Sequence, residues 1–246
     1  MIPLLALDVQ TLPDVAGIRT LYQLDEQISD ADVVYFALQR SRASRADEFM
    51  PYHLHRIVAI HAVLHIRQEV ELHAFHTAQG EAVMLQSLSA LLNEHMPQIV
   101  SWQGSQLMLP VLRHRAMMHN TAFPAGPNGI FGQSLELSRQ LCQNAQPGCV
   151  PQQELAGLCG LPRIPDYDAP QSWAAQAAGQ LDELCQHSAQ RAACHYLMWL
   201  RLASLQGQIS PLTRQQQESR LAQLLAQQSD THWQDFLQQW SARNKA

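Results

Sequence analysis

Leu4-Leu5-Ala6-Leu7-Asp8-Val9-Gln10-Thr11-Leu12-Pro13-Asp14 is the stretch on which the reading of this chain turns. An unbroken apolar run enters an acid and then a turn, the pattern of a buried strand that carries a carboxylate at its end. Two residues after that acid stands Gln10, an amide without charge, and whether that glutamine stands alone or belongs to a pattern decides what the strand is for.

Composition sets the outer limits. A chain of 246 residues, 46% hydrophobic and only 15% charged, can build one large core or one domain with an appendage. No apolar run reaches the roughly 18 residues that span a bilayer. The start of the chain lacks the basic segment and small-residue cleavage site of a secretory leader. A cytoplasmic protein with no membrane partner is expected. Five cysteines (Cys142, Cys149, Cys159, Cys185, Cys194) with no CxxC pair are read as reduced thiols. Net charge is -5 and Lys245 is the only lysine, which argues against tight, non-specific nucleic-acid binding. Arg40, Arg42 and Arg45 cluster, as do Arg113 and Arg115, and both groups are read as solvated helix faces.

Working outward from the first strand (4–8), residues 21–52 read as mixed helix and loop. Apolar residues alternate with histidines over 55–66, a central strand, and 70–76 forms a second strand after a turn at 67–69. Met84, Leu85, Leu88, Leu91 and Leu92 mark an amphipathic helix over 81–96. Pro97 ends it, and 98–102 is another buried strand. A helix at 109–120 carries Pro110 in its first turn, where proline is tolerated. Helices follow at 135–142, 152–159 and 171–206. The order predicts an α/β fold, a mixed sheet flanked by helices. Residues 213–244 then read as two amphipathic helices.

The motifs resemble the predicted 3'-5' exonucleases related to the exonuclease domain of family B DNA polymerases. The residues that carry the likeness are Leu7-Asp8-Val9-Gln10-Thr11-Leu12-Pro13-Asp14, Tyr52-His53-Leu54-His55-Arg56-Ile57-Val58-Ala59-Ile60, Val100-Ser101-Trp102-Gln103-Gly104 with Leu109-Pro110-Val111-Leu112, Cys159-Gly160-Leu161-Pro162, and Tyr196-Leu197-Met198-Trp199-Leu200-Arg201. They stand in family order over roughly residues 4–210. The resemblance implies a ribonuclease H-like domain over 1–212 and leaves 213–246 as a helical C-terminal extension.

That family implies a demanding chemistry. Two Mg²⁺ or Mn²⁺ ions about 4 Å apart activate a water and stabilise the leaving oxygen of a phosphodiester. Such hard cations need several anionic oxygens. The resemblance places these ligands on an Asp-x-Glu in the first strand, an aspartate after a Trp-Asn-Gly turn, and a Tyr-x-x-x-Asp on a late helix. Carried over, the first acid is Asp8 and the second position is Gln10. The third is Met108, the tyrosine position is His187 and the last acid position is Arg191; the asparagine of the turn is Gln103. Methionine offers a thioether that Mg²⁺ does not favour, and a guanidinium stays cationic in proteins. The expectation is a degenerate exonuclease-like module that holds no metal cofactor, with Arg191 paired to Asp8 and Met108 filling the old site. A short connection between Phe123 and Leu137, including 124–129, is expected to remove part of the substrate wall. At most weak binding of single-stranded nucleic acid is expected.

Two alternatives frame that expectation. Asp14, Asp182 or Glu183 could serve as substitute ligands in an active metal-dependent exonuclease. The chain could also be a scaffold without a nucleic-acid role, docking a protein or a second copy through Trp233, Phe236, Leu237 and Trp240, whose spacing makes an apolar stripe. His61 and His65 lie on one side of a strand with His73 and His76 on the next, a conceivable zinc arrangement that lacks any HExxH or Cys–His spacing. His53 and His55 belong to the strand-entry motif. Cys185 with His187, and Cys194 with His195, cannot form dyads with each other because close neighbours on a helix diverge. Asp166-Tyr167-Asp168 reads as a loop, and no glycine-rich phosphate loop with its lysine is present.

Overall fold

Ten residues of the opening stretch form a strand in the computed structural model of the protein, which describes residues 2–45, 50–125, 130–142 and 150–243. β1 (Leu4–Pro13) leads to α1 (Val15–Tyr22) and α2 (Asp30–Arg45). β2 (His55–Ile66) and β3 (Glu69–His76) follow as a hairpin. Then come α3 (Glu81–His95), β4 (Gln98–Ser101), α4 (Met108–Met118), β5 (Leu135–Glu136) and α5 (Leu137–Cys142). The chain continues through α6 (Gln152–Leu158), α7 (Ala169–Ala177), α8 (Leu181–Leu205), α9 (Pro211–Ala226) and α10 (Thr231–Arg243). Cys149, Lys245 and the connection at 126–129 lie outside the described residues.

The five strands lie in the order β3-β2-β1-β4-β5. β2 runs antiparallel to both β1 and β3, and β4 runs parallel to both β1 and β5. This is the mixed, helix-flanked sheet expected of a ribonuclease H-like α/β fold. The alternation of β1 divides the core. Leu5, Leu7 and Val9 pack with Ile60, Ala62 and Leu64 of β2 against α3 and α4. Leu4 and Ala6 face the other way, joining Val63 and Val100 under Tyr196, Leu197 and Leu200 of α8. Asp8 and Gln10 continue that second face toward α8, and the register sets Asp8 directly opposite His61.

Two expectations change. Residues 135–142 are not one helix, because Leu135 and Glu136 pair with Val100 and Ser101 and extend the sheet by a fifth strand. The run at 171–206 is two helices. Gly179, at φ +79°, breaks it in a left-handed conformation that glycine adopts without the Cβ penalty. Asp168 then caps α7 through a capping box with Gln171.

The C-terminal aromatic stripe is part of the core rather than an open docking face. Trp233, Phe236 and Trp240 are 6%, 0% and 5% exposed, and Leu237 packs beside them in the cluster that includes Tyr196 and Trp199. Gln190 Nε2 donates to the His232 carbonyl at 2.7 Å, and Arg220 of α9 donates to the Gln68 carbonyl in the β2–β3 turn. The core therefore continues across residues 212–213 without a break. Burying each large apolar side chain stabilises by about 1.5–3 kcal/mol, a strong reason for the stripe to fold inward. No helix among the described residues is long and apolar enough to cross a membrane.

Candidate functional site

The polar end of β1 meets the middle of α8. The carboxylate of Asp8 receives two hydrogen bonds from Arg191, Nε to Oδ1 at 3.3 Å and Nη2 to Oδ2 at 3.0 Å. This fork is the geometry a planar guanidinium makes with a carboxylate. Arg191 Nη2 also donates to Gln10 Oε1 at 3.1 Å, and Nη1 to the Pro165 carbonyl at 2.8 Å, with Asp166 Oδ1 3.9 Å away. Both members of the pair are shielded, their side chains 14% and 7% exposed. Burial alone would raise the Asp8 carboxyl, but Arg191, with His195 and Ser188 adding smaller amounts, holds it below its ordinary value. Burial likewise opposes the charge on Arg191, and Asp8 outweighs it to raise the guanidinium.

Gln10 fits this setting as an amide. Its oxygen faces Arg191, while its Nε2 donates to the Thr11 carbonyl at 3.1 Å and to Ser172 Oγ at 3.3 Å. A carboxylate at this position has no hydrogen to give the Thr11 carbonyl, so a glutamate would leave that contact repulsive. His195, one helical turn beyond Arg191, bonds the Leu7 carbonyl through Nδ1 at 3.0 Å and lies 3.1 Å from the Gln152 amide through Nε2. Burial lowers its pKa.

Met108 opens α4 at the far wall and is 8% exposed. The turn before it is pressed tight. A Cβ on Gly104 would stand 2.3 Å from Ser101 Oγ and 2.8 Å from Met108 Cε, so a larger residue here would have to push those two side chains aside. The space left is small, about 110 Å³, and Asp8, Gln10, Met108, Tyr167, Arg191 and His195 border it.

The structure thus brings together five of the six sequence-selected residues, Asp8, Gln10, Gln103, Met108 and Arg191, including the Arg191–Asp8 pair. His187 sits one turn before Arg191 but outside this space, stacked on Tyr167 with ring centroids 5.8 Å apart. None of the alternative acids is placed to help. Asp14 caps α1 and pairs with Arg115, and Asp182 and Glu183 border other hollows. Among the described residues, no three His, Cys, Asp or Glu side chains are grouped to hold a metal ion, which includes the strand histidines. Neither of the two cysteines weighed beside a histidine is an activated nucleophile. Burial pushes the Cys185 thiol up to about 11 and the Cys194 thiol up to about 12, so both stay protonated at neutral pH.

Several residues of the cleft were not assigned to it from sequence. Asp166 and Tyr167 enter it from a loop that carries no periodic signal. His195 had one, since it lies four positions from Arg191 and so on the same helical face. Gln152, Ser172 and Ser188 arrive only through the tertiary fold.

The donor set does not suit the metal pair of a two-metal nuclease. Of the two carboxylates bordering the cleft, Asp8 is already neutralised by a buried guanidinium and Asp166 is largely in solvent, a poor site for hard divalent cations.

A family model described as a predicted 3'-5' exonuclease related to the exonuclease domain of PolB matches residues 47–125 and 131–240. The matched residues begin after β1 and run into α10, so they take in the C-terminal helices that the motif resemblance over 4–210 left outside. No curated protein and no solved structure shows a significant match.

Proposed function

The chain belongs to the family of predicted 3'-5' exonucleases related to the exonuclease domain of PolB, and from that premise we propose that it is a catalytically silent member, acting as a nucleic-acid-related binding or regulatory module. One observation carries the proposal: at the position where the motif resemblance expects the last metal-binding acid, Arg191 forms a buried, bidentate ion pair with Asp8.

The reasoning is electrostatic. In-line phosphodiester hydrolysis needs charge-dense cations at the attacking and leaving oxygens. Arg191 brings a fixed positive charge to the same carboxylate, and it cannot lose that charge by deprotonation. Gln10 completes the exchange, because its amide satisfies both the guanidinium and the Thr11 carbonyl. The ion pair and the amide satisfy one another, so the cleft has no vacancy of charge for a metal to fill.

The test is a 3'-end trimming assay on labelled single-stranded DNA and RNA with Mg²⁺ or Mn²⁺. The expected result is no degradation beyond that of an Asp8→Ala variant. Trimming that needs metal and disappears in Asp8→Ala would overturn the proposal. A second reading, a protein-binding scaffold with no nucleic-acid role, is favoured by the net charge of -5 and the single lysine. Binding to single-stranded and duplex DNA over a salt series separates the two, since real phosphate contacts weaken steeply as salt rises.

A further inference from the structure

β3 is an open edge of the sheet. It stands first in the strand order, with β2 on one side and, among the described residues, no strand on the other. β5, at the opposite edge, has two residues, whereas β3 presents eight. Among the described residues, no backbone N–H or C=O of Glu69–His76 bonds to anything except β2. Every second residue of an edge strand turns both groups outward, so β3 carries a row of donors and acceptors that another strand can use.

Such an edge is commonly blunted by a bulge, a proline or a lysine. β3 has none of these. Its register with β2 runs unbroken from Ala59–His76 to Ile66–Glu69, and the sequence Glu69-Val70-Glu71-Leu72-His73-Ala74-Phe75-His76 contains neither proline nor lysine. Its two carboxylates, Glu69 and Glu71, are exposed, as is Ala74.

The side chains of β3 complement themselves. Val70 and Leu72 pack toward α8, and Phe75 packs on the opposite face toward α3 and α4. Alternation puts Glu71 and His73 on the Phe75 face. His73 Nε2 lies 3.2 Å from Glu71 Oε2, and because a carboxylate only accepts, the imidazole donates. Two copies of β3 set antiparallel about a two-fold axis perpendicular to the sheet keep each face continuous. With Leu72 on that axis, Val70 faces Ala74 of the second copy, and Glu71 faces His73 of the second copy twice over. A slide of two residues one way sets Glu71 against Glu71, where like charges repel. The same slide the other way sets His73 against His73 and leaves Glu71 opposite Phe75. Of these registers only the first matches acceptor to donor.

We propose that β3 is the pairing edge of a homodimer, in which two copies join their five-stranded sheets into one continuous sheet. Main-chain hydrogen bonds hold the pair together, and the Glu71–His73 contacts fix its register. Pairing consumes the long edge of each copy, so the assembly closes at two. No residue of β3 borders the Asp8–Arg191 cleft, and the proposal does not depend on whether that cleft is silent.

The experiment is sedimentation velocity of the full chain from hundred-micromolar to sub-micromolar concentration, with hydrogen exchange of the β3 amides at both ends of the series. The parent is compared with His73→Glu and with Glu71→Lys/His73→Glu. The parent is expected to sediment as a dimer that dissociates on dilution, with alternate β3 amides protected only in the dimer. His73→Glu sets carboxylate against carboxylate on both sides of the axis and weakens the dimer about tenfold. Glu71→Lys/His73→Glu restores opposite charges across the same pairs and returns the affinity to within about threefold of the parent. Exchange in the parent requires no substitution, so it decides even where a variant disturbs the strand. A parent that stays monomeric throughout, leaving the edge to a strand of another protein, would overturn the proposal. So would a dimer whose β3 amides exchange as fast as the monomer's, an assembly that grows beyond two copies, or a folded double variant that associates no more tightly than His73→Glu.

Discussion

Two arginines are buried among the described residues, and they are buried for different reasons. Arg115, 7% exposed, reaches from α4 to Asp14 and Glu81: its Nη1 lies 2.6 Å from Asp14 Oδ2 and its Nε 2.7 Å from Glu81 Oε1. Each of those acids also does a backbone job. Asp14 caps α1 by accepting from Gly17 N, and Glu81 accepts from Ile57 N on β2. Arg191, 6% exposed, is held as tightly, yet Asp8 caps no helix and ends no strand. The first cluster is explained by the architecture it joins. The second is a charge facing a charge across a cleft, which the fold alone does not require. The comparison teaches that burial does not reveal what a salt bridge is for; the backbone work of its partners does.

Breaking Arg115 should have the largest effect. Arg115→Ala leaves two shielded carboxylates without a counter-charge, and unfolding in urea should show a loss of about 5 kcal/mol, the upper end for breaking a buried pair. Arg191→Ala strands one carboxylate and should cost about 3 kcal/mol by the same measurement. The sharper test replaces both partners. Asp8→Leu/Arg191→Met should return to within about 1 kcal/mol of the parent, because apolar groups of similar size replace buried ion pairs without penalty. If that double variant stays as unstable as Arg191→Ala, the cleft pair is architectural like the Arg115 cluster, and the contrast fails.

Acid should then weaken the fold more gently, through groups outside both pairs. Burial pushes His55 down to about 4 and His61 down to about 3, so both stay neutral in the folded chain while the unfolded chain takes up protons near pH 6.5. Stability is therefore complete above pH 6.5 and falls below it, by up to about 1.4 kcal/mol per pH unit for each histidine. Thermal melts should record about 2–3 kcal/mol lost by pH 5.5. Asp8 works with the same sign at lower pH: its folded pKa is depressed, so the pair's contribution persists down to the ordinary carboxylate range and disappears below it. A flat profile between pH 7 and 5 would show that the two histidines are not buried as neutral rings.

Much of this was legible in the sequence, and the reasons differ by element. β2 shows its alternation and its ends plainly, and α3 shows its apolar stripe. β5 escaped because two residues cannot show a period, and Leu135-Glu136 runs straight into a helical pattern. The break at Gly179 escaped because the alanine- and glutamine-rich composition continues on both sides. The C-terminal stripe was visible, but not the surface it covers, since that depends on a sheet face assembled from distant strands. In the cleft, position within the motifs paired Arg191 with Asp8 in advance. Asp166 and Tyr167 come from an irregular loop, and the fit of Gln10 depends on Thr11 and Ser172, whose geometry no spacing conveys.

The central claim is that the cleft holds an arginine in the role the family gives to metal ions. Titration of the full chain with Mn²⁺, followed by electron paramagnetic resonance, addresses it most directly. The free Mn²⁺ signal should be retained through millimolar metal and be the same for the parent and for Asp8→Ala. Stoichiometric, tight Mn²⁺ uptake by the parent that is lost in Asp8→Ala would contradict it.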